Sequence, residues 1–216
     1  MSKRNLLGFS VAVLIGVFFL ATFAISQEKS KSPKADPTAP GAAGGMDQAA
    51  MMKTMEEAGA PGPHHKAMEA MVGNFKYVNK FRMDPSQDWQ TSEGDYNGEM
   101  GLGGRYLLQS VKGPMMGAQF EGMGCLGYDN VLKKHVAAWI DNMGTGIMRS
   151  EGTCDGACKT ITFEGEMMDP MLKKMTKYKY TFEVKSNDEF AMRWWSPSMS
   201  DGKMFEMMNI TYTRVK

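Results

Sequence analysis

The clearest pattern in the chain lies where Tyr178, Tyr180, Phe182 and Val184 alternate with Lys177, Lys179, Glu183 and Lys185. A period of two with one apolar and one charged face belongs to a half-buried β-strand. Phe75, Tyr77 and Phe81 alternate in the same way with Lys76, Lys80 and Arg82, and Asn79 intrudes on the apolar side. Comparable runs occupy residues 74–83, 88–100, 105–112, 118–128, 134–141, 146–153, 159–167, 175–185, 189–195 and 204–214. Turn residues separate them: Asp84-Pro85, Gly103-Gly104, Gly113-Pro114, Asp129-Asn130, Asp155-Gly156, Asn187-Asp188 and Asp201-Gly202. Such pairs supply a positive φ, a preset φ or a side chain that bonds its own backbone. The pattern predicts a ladder of about ten antiparallel strands joined as hairpins. Glu-Gly pairs at residues 93–94, 121–122, 151–152 and 164–165 permit the sharp coiling that closes a sheet. Left open, such a sheet would expose two long edges, and closure removes them. The expected fold is mainly β: a single up-and-down antiparallel β-barrel of about ten strands with a short N-terminal helix. A two-sheet sandwich is the rival, and it requires a long crossing connection that the turn spacing does not provide.

Upstream of the strands the composition changes twice. Lys3 and Arg4 precede an apolar run over residues 6–23, and Ala24-Ile25-Ser26 then offers small residues of the kind a signal peptidase reads. Uncut, the run is long enough to span a bilayer. Residues 1–26 therefore read as a signal peptide or membrane anchor, and both readings export the remainder, to the periplasm or as a secreted protein. Residues 27–62 read as a flexible linker of Lys, Ser, Pro, Ala and Gly, with a short helix over residues 46–58 ended by Pro61-Gly62-Pro63. The barrel domain is expected over residues 63–216. It opens with a helix over residues 63–72 that starts on Pro63 and stops at Gly73, placing Ala67, Met68, Met71 and Val72 against the barrel.

A short helix, then Gly73-Asn74-Phe75, then a meander resembles the calycin-type barrels, the lipocalin and fatty-acid-binding architecture. That family usually has Trp where Phe75 stands. Residues 62–214 also resemble the bacterial domain of unknown function 1579. The matching words are Gly103-Gly104-Arg105-Tyr106, Phe120-Glu121-Gly122, Gly127-Tyr128-Asp129-Asn130, Trp139-Ile140-Asp141-Asn142-Met143-Gly144-Thr145-Gly146, Asp201-Gly202-Lys203 and Ile210-Thr211-Tyr212-Thr213. The resemblance implies a fold and no activity.

Charge narrows the function. Lys plus Arg number 25 against 24 Asp plus Glu, so no summed field points to nucleic acid, and membrane contact is expected only through an uncleaved N-terminal segment. Three cysteines are too few for a disulfide scaffold and too scattered for a four-ligand zinc site. Cys154 and Cys158 flank a three-residue turn and are the disulfide candidates; Cys125 is expected as a buried free thiol. The 23 methionines fill irregular gaps or line an adaptable pocket. Copper is the sharper alternative, from Met52 and Met55, Met68 and Met71, Met168 and Met171, Met115-Met116 and His64-His65. Haem would have only His64, His65 and His135 to bind it. The expectation is no metal and no cofactor.

Signatures of nucleotide, serine-hydrolase or metalloprotease chemistry are absent from the sequence. The most unusual word is Trp139-Ile140-Asp141-Asn142-Met143-Gly144-Thr145. It reads either as a pocket wall with a polar anchor or as a hairpin in which Asp141 and Asn142 bond their own backbone. Arg105, Arg149 and Arg193 each fall in a strand-like run, where an inward guanidinium could pair a carboxylate and an outward one would cover apolar surface. The reading these residues support is a non-catalytic barrel that holds a small apolar or amphipathic ligand near Arg105, Trp139, Asp141, Asn142 and Met148. One alternative is a hydrolase or isomerase using interior carboxylates drawn from Glu93, Asp95, Glu121, Glu151, Glu164, Glu166 and Glu206. The other is a structural or partner-binding envelope protein, which would have a filled core and an exposed apolar patch.

Overall fold

A computed structural model of the chain describes residues 47–216. Residues 1–26, which the sequence suggests are a signal peptide or membrane anchor, and the expected linker residues up to 46 lie outside the described residues. Among the described residues, no helix is long and apolar enough to cross a membrane. Helix α1, Gln48–Gly59, starts where the Asp47 carboxylate accepts the Ala49 N–H and buries none of its residues. Asn130 holds its end, donating to the carbonyls of Ala58 and Ala60. Helix α2, Pro63–Ala67, runs directly into a 3-10 turn, Met68–Met71. Met68 and Met71 are fully buried, so this short apolar face seals one end of the barrel.

Ten strands follow. They are β1 (Gly73–Phe81), β2 (Gln90–Gly101), β3 (Tyr106–Met115), β4 (Ala118–Asp129) and β5 (Lys134–Asp141), then β6 (Met148–Cys154), β7 (Thr160–Asp169), β8 (Lys174–Val184), β9 (Glu189–Pro197) and β10 (Met204–Arg214). Each pairs antiparallel with its sequence neighbours, and β1 pairs with β10 from Phe75 opposite Arg214 to Phe81 opposite Met208. The barrel is closed, as the alternation predicted. The aromatic rows lie inside: Phe75, Tyr77 and Phe81 of β1, and Tyr178 and Tyr180 of β8, are all buried, while Lys177 and Lys179 are exposed.

One turn falls elsewhere than the sequence suggested. Gly113-Pro114 is not a turn; β3 continues to Met115, and the chain reverses at Met116-Gly117, both at positive φ. Pro114 fits because the β2–β3 ladder has ended at Lys112, so its missing N–H breaks no bond on that side. Gly113 is there for space, since the Tyr77 hydroxyl occupies the place of its missing Cβ. The glycines of the Glu-Gly pairs serve the same purpose. A Cβ on Gly122 would sit inside the Trp139 ring, and one on Gly165 would lie 2.5 Å from Tyr178 Cζ. Inward glycines thus seat aromatic rings from other strands of the barrel.

At the sealed end Phe75 fills the place where the calycin resemblance expects Trp. It packs edge-on against Tyr96 and Phe190, with ring centroids 5.6 and 5.0 Å away. The Arg214 guanidinium lies 4.4 Å above it and donates to the carbonyls of Val72, Ala70 and Asn187. That one cation joins the 3-10 turn, β1, β10 and the β8–β9 loop.

Candidate functional site

Opposite the sealed end, the interior is not filled. A cavity of about 350 Å³ runs between the aromatic rows. Nine of its lining residues are methionines, and half of the rest are aromatic. Met83, Met116 and Met143 line it while remaining largely exposed, so they mark its mouth. Consecutive Met207 and Met208 both line the cavity because the β9–β10 register slips between Glu206 and Met208. A bulge there turns an extra side chain inward. Nine of the 23 methionines thus form a wall of pliable, polarisable side chains.

Polar groups in this wall are few, and several of them are hydrogen-bonded inside the barrel. Gln109 donates to the Tyr96 hydroxyl, which donates to the Met71 carbonyl at 3.0 Å. The Ser150 and Tyr180 hydroxyls are 2.7 Å apart, and Trp194 Nε1 donates to Ser196 at 3.0 Å. Burial pushes the phenols of Tyr96, Tyr180 and Tyr212 well above the ordinary tyrosine value. They stay neutral, and those of Tyr96 and Tyr180 are hydrogen-bonded. Asn79 carries a fully buried polar atom of this wall that has no partner. It is 2 % exposed, its Nδ2 reaches Ser92 only at 3.5 Å, and its Oδ1 has no partner. A buried amide oxygen facing an apolar cavity is an acceptor waiting for a donor.

The residues singled out in the sequence divide into two groups. Trp139, Asp141 and Met148 line the cavity near its mouth. Asp141 accepts from Trp139 Nε1 and from its own turn, at the Met143 N–H, each at 2.9 Å. It orients the indole and caps the hairpin at once, so both readings of that word describe it. Asn142 is exposed and outside the wall; it clips the β5–β6 loop to β4, donating to the Gln119 carbonyl and accepting the Glu121 N–H. Arg105 is also outside the wall. It lies exposed in the β2–β3 turn, donating to the Leu102 carbonyl, because β3 begins one residue after it. Arg149 and Arg193 are exposed as well.

Glu93, Asp95, Glu121, Glu151, Glu164 and Glu166 are exposed on the outer face. Glu206 is half-buried and bonded to Asn209. Asp141 is the one carboxylate lining this cavity, which leaves acid–base chemistry without a close interior pair. Cys125 is half-buried rather than fully buried, and burial raises its thiol pKa. Cys154 and Cys158 are joined by a disulfide, their α-carbons 4.8 Å apart, at the sealed end and away from the cavity mouth.

Closure, a plugged end and an apolar cavity open at the other end define a calycin-type barrel. The sequence model described as "Protein of unknown function (DUF1579)" matches residues 60–214, and the chain belongs to that family. No curated protein matches the sequence at a significant level. Among solved structures, Rv2717c from M. tuberculosis is similar with a TM-score of 0.52 and 12% identity, over 73% of this chain and 100% of that one. The S-type phycobiliprotein lyase CPES from Guillardia theta is similar with a TM-score of 0.51 and 9% identity, over 70% of this chain and 92% of that one. At such identities the likeness is one of fold.

Proposed function

We propose that the barrel binds, without transforming it, a small, flat, largely apolar molecule carrying at least one hydrogen-bond donor. The observation that supports this reading is the cavity of about 350 Å³, within the range of about 300–1,000 Å³ that small-molecule sites occupy, with the orphan Asn79 Oδ1 in its wall. Stacked aromatic rings and thioethers suit a conjugated or aromatic ligand, and flexible methionines let the mouth adjust around it. Asn79 accepts the ligand's N–H or O–H, and Trp139, held by Asp141, forms one wall near the mouth. A shared fold with a phycobiliprotein lyase is compatible with a small ligand. Lys3, Arg4 and the apolar run after them support placing this activity outside the cytoplasm.

The test is native mass spectrometry of the protein purified from its own cells, with denaturation in organic solvent to release what it holds. The expected result is a reproducible small molecule, displaced when Met148→Trp fills the cavity of a still-folded barrel. A protein that carries nothing and binds an apolar fluorescent probe no differently from Met148→Trp would overturn the reading.

A further inference from the structure

At the sealed end of the barrel, four side chains from three distant stretches meet. His64 comes from α2, His135 from the start of β5, Cys154 from the end of β6 and Cys158 from the β6–β7 turn. Their ligand-capable atoms all lie within 4.8 Å of one another. His64 Nδ1 is 3.5 Å from Cys154 Sγ and 3.2 Å from Cys158 Sγ. A tetrahedron with zinc–sulfur bonds of about 2.3 Å and zinc–nitrogen bonds of about 2.0–2.1 Å has sulfur-to-nitrogen edges of about 3.5 Å. His135 supplies the independent observation. It has no solvent exposure, yet neither ring nitrogen has a hydrogen-bond partner.

The plainer reading is a small disulfide beside a cluster of rings. It accounts for the two sulfurs and leaves His135 unexplained, since a buried polar atom without a partner costs about 1–3 kcal/mol. The surroundings are those of a positioned ligand set. Tyr128 stacks on His64 at 3.9 Å and meets His135 edge-on at 5.0 Å. His65 accepts the Gly62 N–H at 3.0 Å, which fixes the turn from which His64 projects. Two thiolates and two imidazoles are a donor set that suits zinc in softness, and zinc holds four such donors as a tetrahedron.

We propose that Cys154, Cys158, His64 and His135 form a zinc site when the two sulfurs are reduced, and that the disulfide is the metal-free, oxidised form of the same site. In the reducing step a dithiol gives up two electrons and two protons; the Cys154–Cys158 bond breaks to two thiols, and the dithiol closes to its own disulfide. Zinc then displaces the two thiol protons to water and bonds two thiolates and one nitrogen from each imidazole. The sulfurs must part to about 3.8 Å, the sulfur-to-sulfur edge of that tetrahedron. Four protein ligands leave no open position, so the ion is structural. It ties the α2 cap to β5 and to the β6–β7 hairpin, as the disulfide alone cannot.

The test uses the full chain, reduced under argon with a water-soluble phosphine that becomes its oxide, freed of that reagent and titrated with Co²⁺. The expected result is the visible spectrum of tetrahedral cobalt with a thiolate-to-metal charge-transfer band, saturating at one ion per chain and bleached by Zn²⁺. Oxidised protein shows neither band. His64→Ala removes a half-buried ligand from a short surface helix, so the barrel still folds, and cobalt affinity falls at least tenfold, the lower bound for loss of even an outer-sphere partner. A Cys154→Ser/Cys158→Ser protein loses the charge-transfer band while keeping its far-UV circular dichroism. Equal cobalt binding by oxidised and reduced protein, a reduced protein without the band, or an unaffected His64→Ala variant would each overturn the proposal.

Discussion

Gly122→Ala is the substitution in which the geometry makes its most exposed commitment. On the outer surface of a sheet the change would be minor, but at Gly122 the added methyl falls within the Trp139 indole. Carbon atoms rest about 3.5–4.0 Å apart, so the ring must move by more than about 1 Å. Moving it also strains the Nε1 bond to Asp141. Overpacking of this kind costs about 1–3 kcal/mol, which lowers Tm by about 2–12 °C in a domain of this size. Thermal unfolding followed by far-UV circular dichroism measures the loss, and an apolar fluorescent probe should bind more weakly because the displaced ring enters the cavity mouth. Trp139→Phe shortens the ring, so the double variant should recover part of the loss, with a coupling of about 0.5–3 kcal/mol. A Gly122→Ala protein as stable as the parent, or two substitutions whose effects simply add, would refute the idea that inward glycines are seats for rings.

Other consequences are as direct. Asn79→Leu removes an unpartnered buried oxygen, so the empty barrel should gain about 1 kcal/mol or more in urea unfolding, while ligands with a hydrogen-bond donor bind at least several-fold more weakly; loss of stability without change in binding would contradict the assigned role. Arg214→Ala forfeits three charge-assisted bonds to carbonyls at the sealed end and should cost at least about 2 kcal/mol by the same assay; a neutral result would mean that end is held by apolar packing alone. The tyrosine pKa values give a pH dependence whose sign follows from their direction. In the folded chain Tyr96, Tyr180 and Tyr212 ionise only well above the ordinary value of about 10. Between those two limits the unfolded state holds fewer protons, so stability is intact below about pH 10 and falls as pH rises beyond it. Phenolate absorbance should rise together with the loss of circular dichroism; buried tyrosines that titrate in a still-folded protein would refute it.

How much of this was legible beforehand depends on the range of the interaction. Strands were readable because alternation is local: Tyr178, Tyr180 and Phe182 declare their face without reference to any other strand. Asn79 was visible as the misfit in such a row, although only the barrel shows that its oxygen has no partner. Gly113-Pro114 misled because the pair resembles a turn, whereas the glycine answers to Tyr77 on a strand that is not adjacent to β3. The double methionine at 207–208 was plain in the sequence but its bulge was not, since a register slip is a property of two strands. Arg105 fell outside the wall because β3 starts one residue late. The His64, His135, Cys154 and Cys158 group was invisible for the strongest reason: its members lie up to 94 residues apart, and only the cap folding over β5 and β6 brings them together.

The seam between β1 and β10 has a consequence for how the chain comes to be folded. Its pairing of Phe75 with Arg214 joins the first strand of the barrel to the last, so the ring cannot be completed until the whole domain has left the ribosome. Contacts of such long reach slow folding, and until then β1 and β9 present bare backbone edges to any neighbouring chain. Cutting the protein before Met204 should leave a chain that associates into larger particles rather than a nine-strand monomer, as size-exclusion chromatography would reveal.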